Sequence, residues 1–424
     1  MPCQHRRFQA IRAEEISMTT RILVIGAGFA GMWSALGAVR LLEQQGHNDV
    51  EVALVASEPF LHIRPRLYEE HPEGLKAPLQ DLFNTVGIRF IAGLVQTIDV
   101  VAQEVSINSG DDPAQATLLS YDRLVLAAGS QLFCPAIPGL HEHSFNIDQI
   151  DTAVRLEEHL RSLAAQPASQ QRNTVVVAGA GFTGLELATQ LPARLAAIFG
   201  ADTACRVMLI ERDNEVGPEL GAGPRPTIIE ALTAQGISWK VGAGVTEVNG
   251  HGVMLENGEW IAADTVIWTA GARASALTEQ IPAQRDEYGR LQVDRSLKVT
   301  GVEAVFATGD CARAATDDEG NYTMMSCQHA MFLGRSAGYN VAADLLGLDP
   351  LAYSQPKYVT CLALGPSTAV YSEGWDRQVK LTGISAARLK QHINTEWIYP
   401  PQGSRSDILA AAAPQQDIPD VITE

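Results

Sequence analysis

The sequence predicts an α/β fold made of two parallel-sheet units followed by a small C-terminal region. Three observations predict it. A short apolar run, Arg21 to Ile25, enters the glycine-rich turn Gly26-Ala27-Gly28-Phe29-Ala30-Gly31. The pattern restarts at Thr174 to Ala178, which leads into Gly179-Ala180-Gly181-Phe182-Thr183-Gly184, 153 residues further on. In both places apolar residues at helical spacing follow the turn, and a second apolar run follows the helix.

The first run, Ile22 to Ile25, is continuously apolar, as a strand buried on both faces requires. Met32, Ala35, Leu36, Val39 and Leu42 then mark one face of a helix, and Glu51 to Val55 reads as the next strand. In the second unit Leu187, Ala188, Leu191 and Leu195 mark the helix, which Pro192 is expected to kink or shorten. Arg206 to Ile210 is its following strand. Residues 162–173 are polar and irregular, as in a surface connection, and residues 110–116 read as a hairpin turn between Val105-Ser106-Ile107 and the strand Leu124-Val125-Leu126. Further strands are expected at Asp264–Trp268 and Ala304–Ala307, and a helix over residues 328–346. The C-terminal region offers a strand at 357–364, a helix at 385–394 and a mobile tail.

Length and composition narrow the class. A chain of 424 residues gives a prior of about three domains. Against 49 acidic residues stand 31 basic ones, a net charge of −18, which argues against a nucleic-acid surface. Six cysteines without a C-x-x-C pair exclude a zinc ribbon and a neighbouring redox dithiol, and no metal site is expected. No run of about 18 apolar residues predicts a membrane span. Residues 1–17 lack the apolar core of a signal peptide and carry Glu14 and Glu15, so they read as a disordered leader or an overlong start. A cytoplasmic protein is expected.

Each glycine of the turns has a physical task. The first makes the tight turn, the second lets backbone approach a pyrophosphate, and the third permits close helix–strand packing. The pyrophosphate then lies on a helix N-terminus, where free N–H groups and the helix dipole favour negative charge. Two such turns in strand–turn–helix–strand context point to two Rossmann-like dinucleotide-binding domains. An acid at the end of the second strand normally holds ribose hydroxyls. Glu211 fits, and Glu58 follows Gly26 at the same spacing of 32 residues that separates Glu211 from Gly179. For Glu58 a solvated loop carboxylate is the equal alternative.

IGAGFAG at the first turn, YDRLVLAAGS at Tyr121 to Ser130, AGAGFTGLELA at Ala178 to Ala188, WTAG ending at Gly271 and FATGD containing Gly309 and Asp310 occur in order. Together they resemble the FAD-containing pyridine-nucleotide oxidoreductases, and within them the type II NADH dehydrogenases, over roughly residues 20–345. The resemblance implies that Gly26, Gly28 and Gly31 hold the pyrophosphate of FAD, and Gly179, Gly181 and Gly184 that of NADH. It implies that Asp310 bonds the ribityl–phosphate region, that Ala128-Gly129 closes the first FAD segment, and that Ser326 to Ala330, with Gln328, presents a helix N-terminus to the flavin. Glu186 would lie near flavin and nicotinamide, in the first turn of its helix, and carry protons. The implied division is an FAD domain at 18–150 and 286–345, an NADH domain at 151–285, and an acceptor or interface region at 346–424.

Two departures from that family stand out. Cys327-Gln328 replaces the usual Ala-Gln, and residues 384–399 (ISAARLKQHINTEWIY) are shorter and more mixed in character than the family's apolar docking helices. That segment is compatible with contact at the inner face of a membrane, or with packing on its own protein. A quinone is the expected acceptor. A sulfide:quinone-type reductase, needing Cys134, Cys327 or Cys361 paired near the flavin, and an apoptosis-inducing-factor-like flavoprotein acting through a protein partner are the alternatives. His62, Arg64 and Arg66 read either as a site for phosphate or the acceptor or, equally, as a solvated basic turn.

Overall fold

A computed structural model describes residues 20–108, 116–416 and 418. The leader and most of the 110–116 turn lie outside the described residues.

Strand β1 (Arg21–Ile25) and helix α1 (Phe29–Gln45) flank the first glycine turn, and β2 (Glu51–Ala56), β3 (Arg89–Ala92) and β4 (Arg123–Leu126) follow. The second unit holds β5 (Thr174–Ala178), α2 (Phe182–Phe199), β6 (Arg206–Ile210), β7 (Ser238–Lys240) and β8 (Thr265–Trp268). The chain then returns through β9 (Val305–Ala307) and α3 (Cys327–Leu346). It ends in β10 (Val359–Ala363), β11 (Ala369–Glu373), β12 (Gln378–Thr382), α4 (Gly383–His392) and α5 (Arg405–Ala411).

The first sheet is wholly parallel in the order β9-β4-β1-β2-β3. The second is parallel in the order β7-β6-β5-β8. Central strands β1 and β5 are buried along nearly their whole length, which explains their unbroken apolar runs. Because β9 pairs with β4, the chain leaves the first sheet, builds the second, and comes back. β10, β11 and β12 form a separate antiparallel sheet, against which Ala386 of α4 is buried.

Three sequence expectations change. Val105 and Ile107 pair antiparallel with Leu119 and Thr117, whereas Leu124 to Leu126 join the parallel sheet beside β1. The turn therefore links two strands of a meander, and β4 is a fresh element after it. Pro192 does not end α2, which runs on to Phe199. Within the supposed mobile tail, Ser404 and Asp407 form a reciprocal capping box that starts α5, and its Ile408 and Leu409 are buried.

A close backbone contact joins α1 and α3. A Cβ at Gly338 would stand 2.2 Å from the Ser34 carbonyl oxygen, and one at Gly334 would stand 2.5 Å from that of Ala30. Only glycine lets the two backbones approach this closely. The contact fixes α3, whose N-terminus faces the site, against α1, whose N-terminus carries the first glycine turn.

Candidate functional site

Both glycine turns open onto one cavity of about 2170 Å³, well above the roughly 300–1,000 Å³ of an ordinary small-molecule pocket. Gly26 has φ 107°, and a Cβ there would lie 2.4 Å from the Ala127 carbonyl oxygen, so the turn admits only glycine. At Gly28 a Cβ would meet nothing within 4 Å, and at Gly181 it would meet only Glu219 Oε2 at 3.8 Å. Both positions face open space. No side chain caps the N-terminus of α1 or α2, which leaves their first N–H groups for an anion. Gly31 and Gly184 stand off the cavity: a Cβ there would lie 1.8 and 1.9 Å from the carbonyl oxygens of Gly26 and Gly179. Their work is close packing of each helix on its turn. These residues fit two dinucleotides.

The strand-end acids differ. Glu211 Oε2 accepts from the Ala180 N–H inside the second turn at 2.7 Å, and Oε1 accepts from Asp213 N–H at 3.0 Å. The carboxylate is thereby fixed beside the turn. Glu58 lies two residues beyond β2 and meets His62 Nε2 at 2.7 Å and Lys76 Nζ at 3.6 Å. It lines the cavity, but its oxygens are shared with basic neighbours rather than simply solvated.

Around the first turn, the Ser130 hydroxyl donates to Asp310 Oδ2 at 2.6 Å. Burial pushes the Asp310 carboxyl up, while the Ser130 bond and the Arg64 and Arg290 charges pull it down. Arg64 donates to the carbonyl oxygens of Asp148 and Ser130 and pairs with the Asp148 carboxylate. Ala128, Gly129, Gly271 and Gly309 line the same wall. Of the basic trio, Arg66 turns away from the cavity and is held by Glu69 and Tyr399. Of the trio, His62 and Arg64 line the cavity and Arg66 does not.

Ser326 caps α3 by accepting from His329 N–H, and Gln328 bonds the backbone of Val359 through both ends of its amide at 3.3 and 3.4 Å. Gln328 therefore ties the α3 N-terminus to the C-terminal sheet. Glu186 stands in the second turn of α2, not the first, because the helix begins at Phe182. Its side chain is 7% exposed, accepts from Ala363 N–H at 3.0 Å and lies 2.7 Å from Lys390 Nζ. Burial pushes the Glu186 carboxyl up, and Lys390 and the Ala363 N–H oppose it. Burial disfavours charge on Lys390 too, but Glu186 more than restores it and keeps the ammonium protonated. Lys390 was not singled out from the sequence. It sits on α4, and nothing local to either residue signals the pairing.

Cys134, Cys327 and Cys361 are free thiols. Burial pushes Cys327 up to about 11 and Cys361 up to about 12, so neither is a ready thiolate at neutral pH. Beside Gln328 and Lys390, the cavity wall carries the apolar side chains of Met331, Phe332, Ile393, Trp397 and Ile398 among the polar Arg335, Thr360 and Asn394. Among the described residues no helix is long and apolar enough to cross a membrane.

Comparison with known proteins gives a consistent result. Residues 20–334 match the family described as pyridine nucleotide-disulphide oxidoreductase. An NADH dehydrogenase-like protein of Mycobacterium tuberculosis is 47% identical over 401 residues, 93% of this chain and 98% of that one. A demethylphylloquinone reductase of Synechocystis is 29% identical over 377 residues, covering 86% and 89%. The structure of NDH2 from Plasmodium falciparum in complex with NADH superposes with a TM-score of 0.72 at 14% identity, covering 93% of this chain and 97% of that one, a likeness of fold.

Proposed function

Because this chain belongs to the pyridine nucleotide-disulphide oxidoreductase family, and is an oxidoreductase enzyme working with FAD and NADH, we propose that it passes the electrons of NADH to a quinone. The observation that carries this reading is the single cavity. It joins both glycine turns and runs on to a wall bearing those apolar side chains, built from α3 and the C-terminal segment. A flat apolar acceptor suits that wall, and a relative named for a quinone substrate supports the choice.

Residues 18–150 and 286–345 are assigned to FAD, residues 151–285 to NADH, and residues 346–424 to the acceptor side. FAD, when bound, supplies the step between a two-electron hydride donor and the acceptor. The α1 N-terminus with Gly26 and Gly28 receives one pyrophosphate, and the α2 N-terminus with Gly179 and Gly181 receives the other. Asp310, set by Ser130, accepts hydrogen bonds from the sugar-alcohol chain, and Ala128, Gly129, Gly271 and Gly309 let backbone come close. Glu58 and Glu211 take the two adenosine riboses. The α3 N-terminus with Gln328 stabilises negative charge near the reacting ring. Glu186 Oε1 and Lys390 Nζ hold the proton that acceptor reduction consumes, in a pocket dry enough to keep it there.

Ile384, 57% exposed, and Trp397, 37% exposed, flank the exposed Arg388, a pattern that supports peripheral contact with the bilayer from which a quinone is drawn. Stopped-flow spectroscopy tests the function. The FAD-loaded protein should bleach rapidly with NADH and recover its colour on adding a soluble naphthoquinone or benzoquinone. Recovery with dioxygen or ferricyanide but with no quinone would overturn the acceptor assignment. The thiol readings of Cys327 and Cys361 give the sulfide-oxidising alternative no support.

A further inference from the structure

Arg377 is a buried cation that the roles above leave without a task. It lies in the turn between β11 and β12 with φ 57° and is 7% exposed. Its guanidinium carbon sits 4.1 Å from the ring centroid of Tyr358, which stacks on Trp375 at 4.8 Å and on His329 at 5.0 Å. The Glu219 charge acts on it from a distance, but among the described residues no carboxylate forms a salt bridge with it, and its Nη1 is buried with no hydrogen-bond partner. A guanidinium buried this way is costly unless a counter-charge joins it.

Its position says which counter-charge. Arg377 lines the cavity and packs on the segment that flanks the second glycine turn. A Cβ at Gly221 would stand 3.2 Å from Arg377 Cγ, and one at Gly223 would stand 2.2 Å from the Arg377 carbonyl oxygen. Both glycines admit the hairpin. Glu219, from the same segment, reaches within 3.8 Å of the Cβ position at Gly181. This end of the cavity is otherwise acidic, lined by Glu211, Asp213, Glu219 and Glu256. Arg212 and Arg273 line it too, but both are exposed, and Arg273 is stacked 4.2 Å over Phe133. A doubly charged pyrophosphate entering four carboxylates needs a cation that is already placed. A guanidinium suits phosphate oxygens because it can donate two parallel bonds.

We propose that Arg377 is a phosphate-binding residue of the second dinucleotide site, so that the C-terminal hairpin, and not the NADH-binding unit alone, holds the coenzyme. This rests on the reading that the second unit binds NADH. The aromatic stack of Tyr358 and Trp375 is then the support that holds the guanidinium in place while the site is being filled.

Calorimetric titration of the FAD-loaded full chain tests it, with ADP-ribose as the probe and adenosine as the phosphate-free control. Arg377→Gln should weaken ADP-ribose binding about 10- to 100-fold, the usual weight of a charge-assisted hydrogen bond. It should also flatten the salt dependence, while adenosine binding, FAD content and melting temperature stay as in wild type. Arg377→Lys should fall between, keeping the charge but losing the paired donors. Unchanged ADP-ribose affinity in Arg377→Gln, or a loss confined to the quinone, would overturn the inference and leave the NADH assignment standing. Absence of ADP-ribose binding in wild type would overturn the NADH assignment itself. Should Arg377→Gln fail to fold, Arg377→Lys and the wild-type salt titration decide: affinity indifferent to ionic strength in wild type contradicts the proposal.

Discussion

Lys390 Nζ lies 2.7 Å from Glu186 Oε1, joining a helix of the second unit to a helix near the end of the chain, with both side chains largely buried in the cavity wall. The carboxylate would be expensive to bury alone, and so would the ammonium. Glu186→Gln keeps shape and hydrogen bonding but removes the titrating oxygen. Turnover should fall about 100-fold or more, as for loss of a general acid–base group, and its pH profile should flatten, with FAD retained. A wild-type rate and profile in that variant would reduce Glu186 to a structural partner of Lys390. Lys390→Met, which strands the carboxylate, should cost about 3–5 kcal/mol of stability in denaturant titrations.

At Gly28 the space in front of the backbone is open, so Gly28→Val meets nothing in the protein itself. It should fold with near wild-type melting in the apo state and purify colourless, because the side chain occupies the pyrophosphate's place. The ratio of flavin to protein absorbance reads the outcome. A yellow, fully loaded Gly28→Val protein would remove the first-turn assignment.

Glu211 is held beside the second turn by Ala180 N–H, where a carboxylate accepts from ribose hydroxyls and repels a 2′-phosphate. Wild type should favour NADH over NADPH in kcat/KM, and Glu211→Ala should erode that preference by about 10-fold or more. The neighbouring Arg212 is then free to pair with the phosphate. Equal efficiency of wild type with both coenzymes would contradict this assignment.

His329 is completely buried in the aromatic stack, and burial, with Arg377 next in weight, brings its pKa from 6.5 down to about 3. The unfolded chain therefore binds a proton that the folded chain refuses. The stability this contributes is present in full above about pH 6.5 and is lost as pH falls from there towards about 3. His329→Phe, which retains the stack, should show a shallower decline in denaturation midpoint between about pH 7 and 4.5. Parallel pH profiles for the two proteins would refute the linkage.

The α1–α3 contact gives a stability test away from the chemistry. Gly338→Ala places a methyl 2.2 Å from the Ser34 carbonyl oxygen, and overpacking of this kind costs about 1–3 kcal/mol. A midpoint equal to wild type would show that the helices separate without penalty.

The legibility of this fold in its sequence divides along physical lines. β1, β5 and both glycine turns were readable because a strand buried on both faces must be apolar throughout and a pyrophosphate demands bare backbone. α5 is missed although Ser404 and Asp407 carry the spacing of a capping box, since the proline and glutamine content of the segment reads as tail. The partner of Val105 and Ile107 was misplaced because periodicity names strands without naming neighbours. The motif draws attention to Glu186 but not to its place in the second turn of its helix. Lys390 and Arg377 were not legible, because each acquires meaning only when the C-terminal hairpin and helix fold back across the second unit, a relation no local pattern encodes.

That fold-back has an architectural consequence. Gly223 leaves no room for a side chain beneath the Arg377 carbonyl, and Gly221, at φ 75°, lies in contact with the Arg377 side chain, so the end of the chain is keyed to the middle. The C-terminal region is therefore not an exchangeable cartridge. On the role proposed for Arg377, a chimaera that imports another protein's terminal segment to change the acceptor would also alter the grip on the electron donor, and a truncation after α3 would remove the cation that faces Glu219. Engineering of this scaffold has to treat the C-terminal region from residue 346 and the second glycine turn as one inheritance.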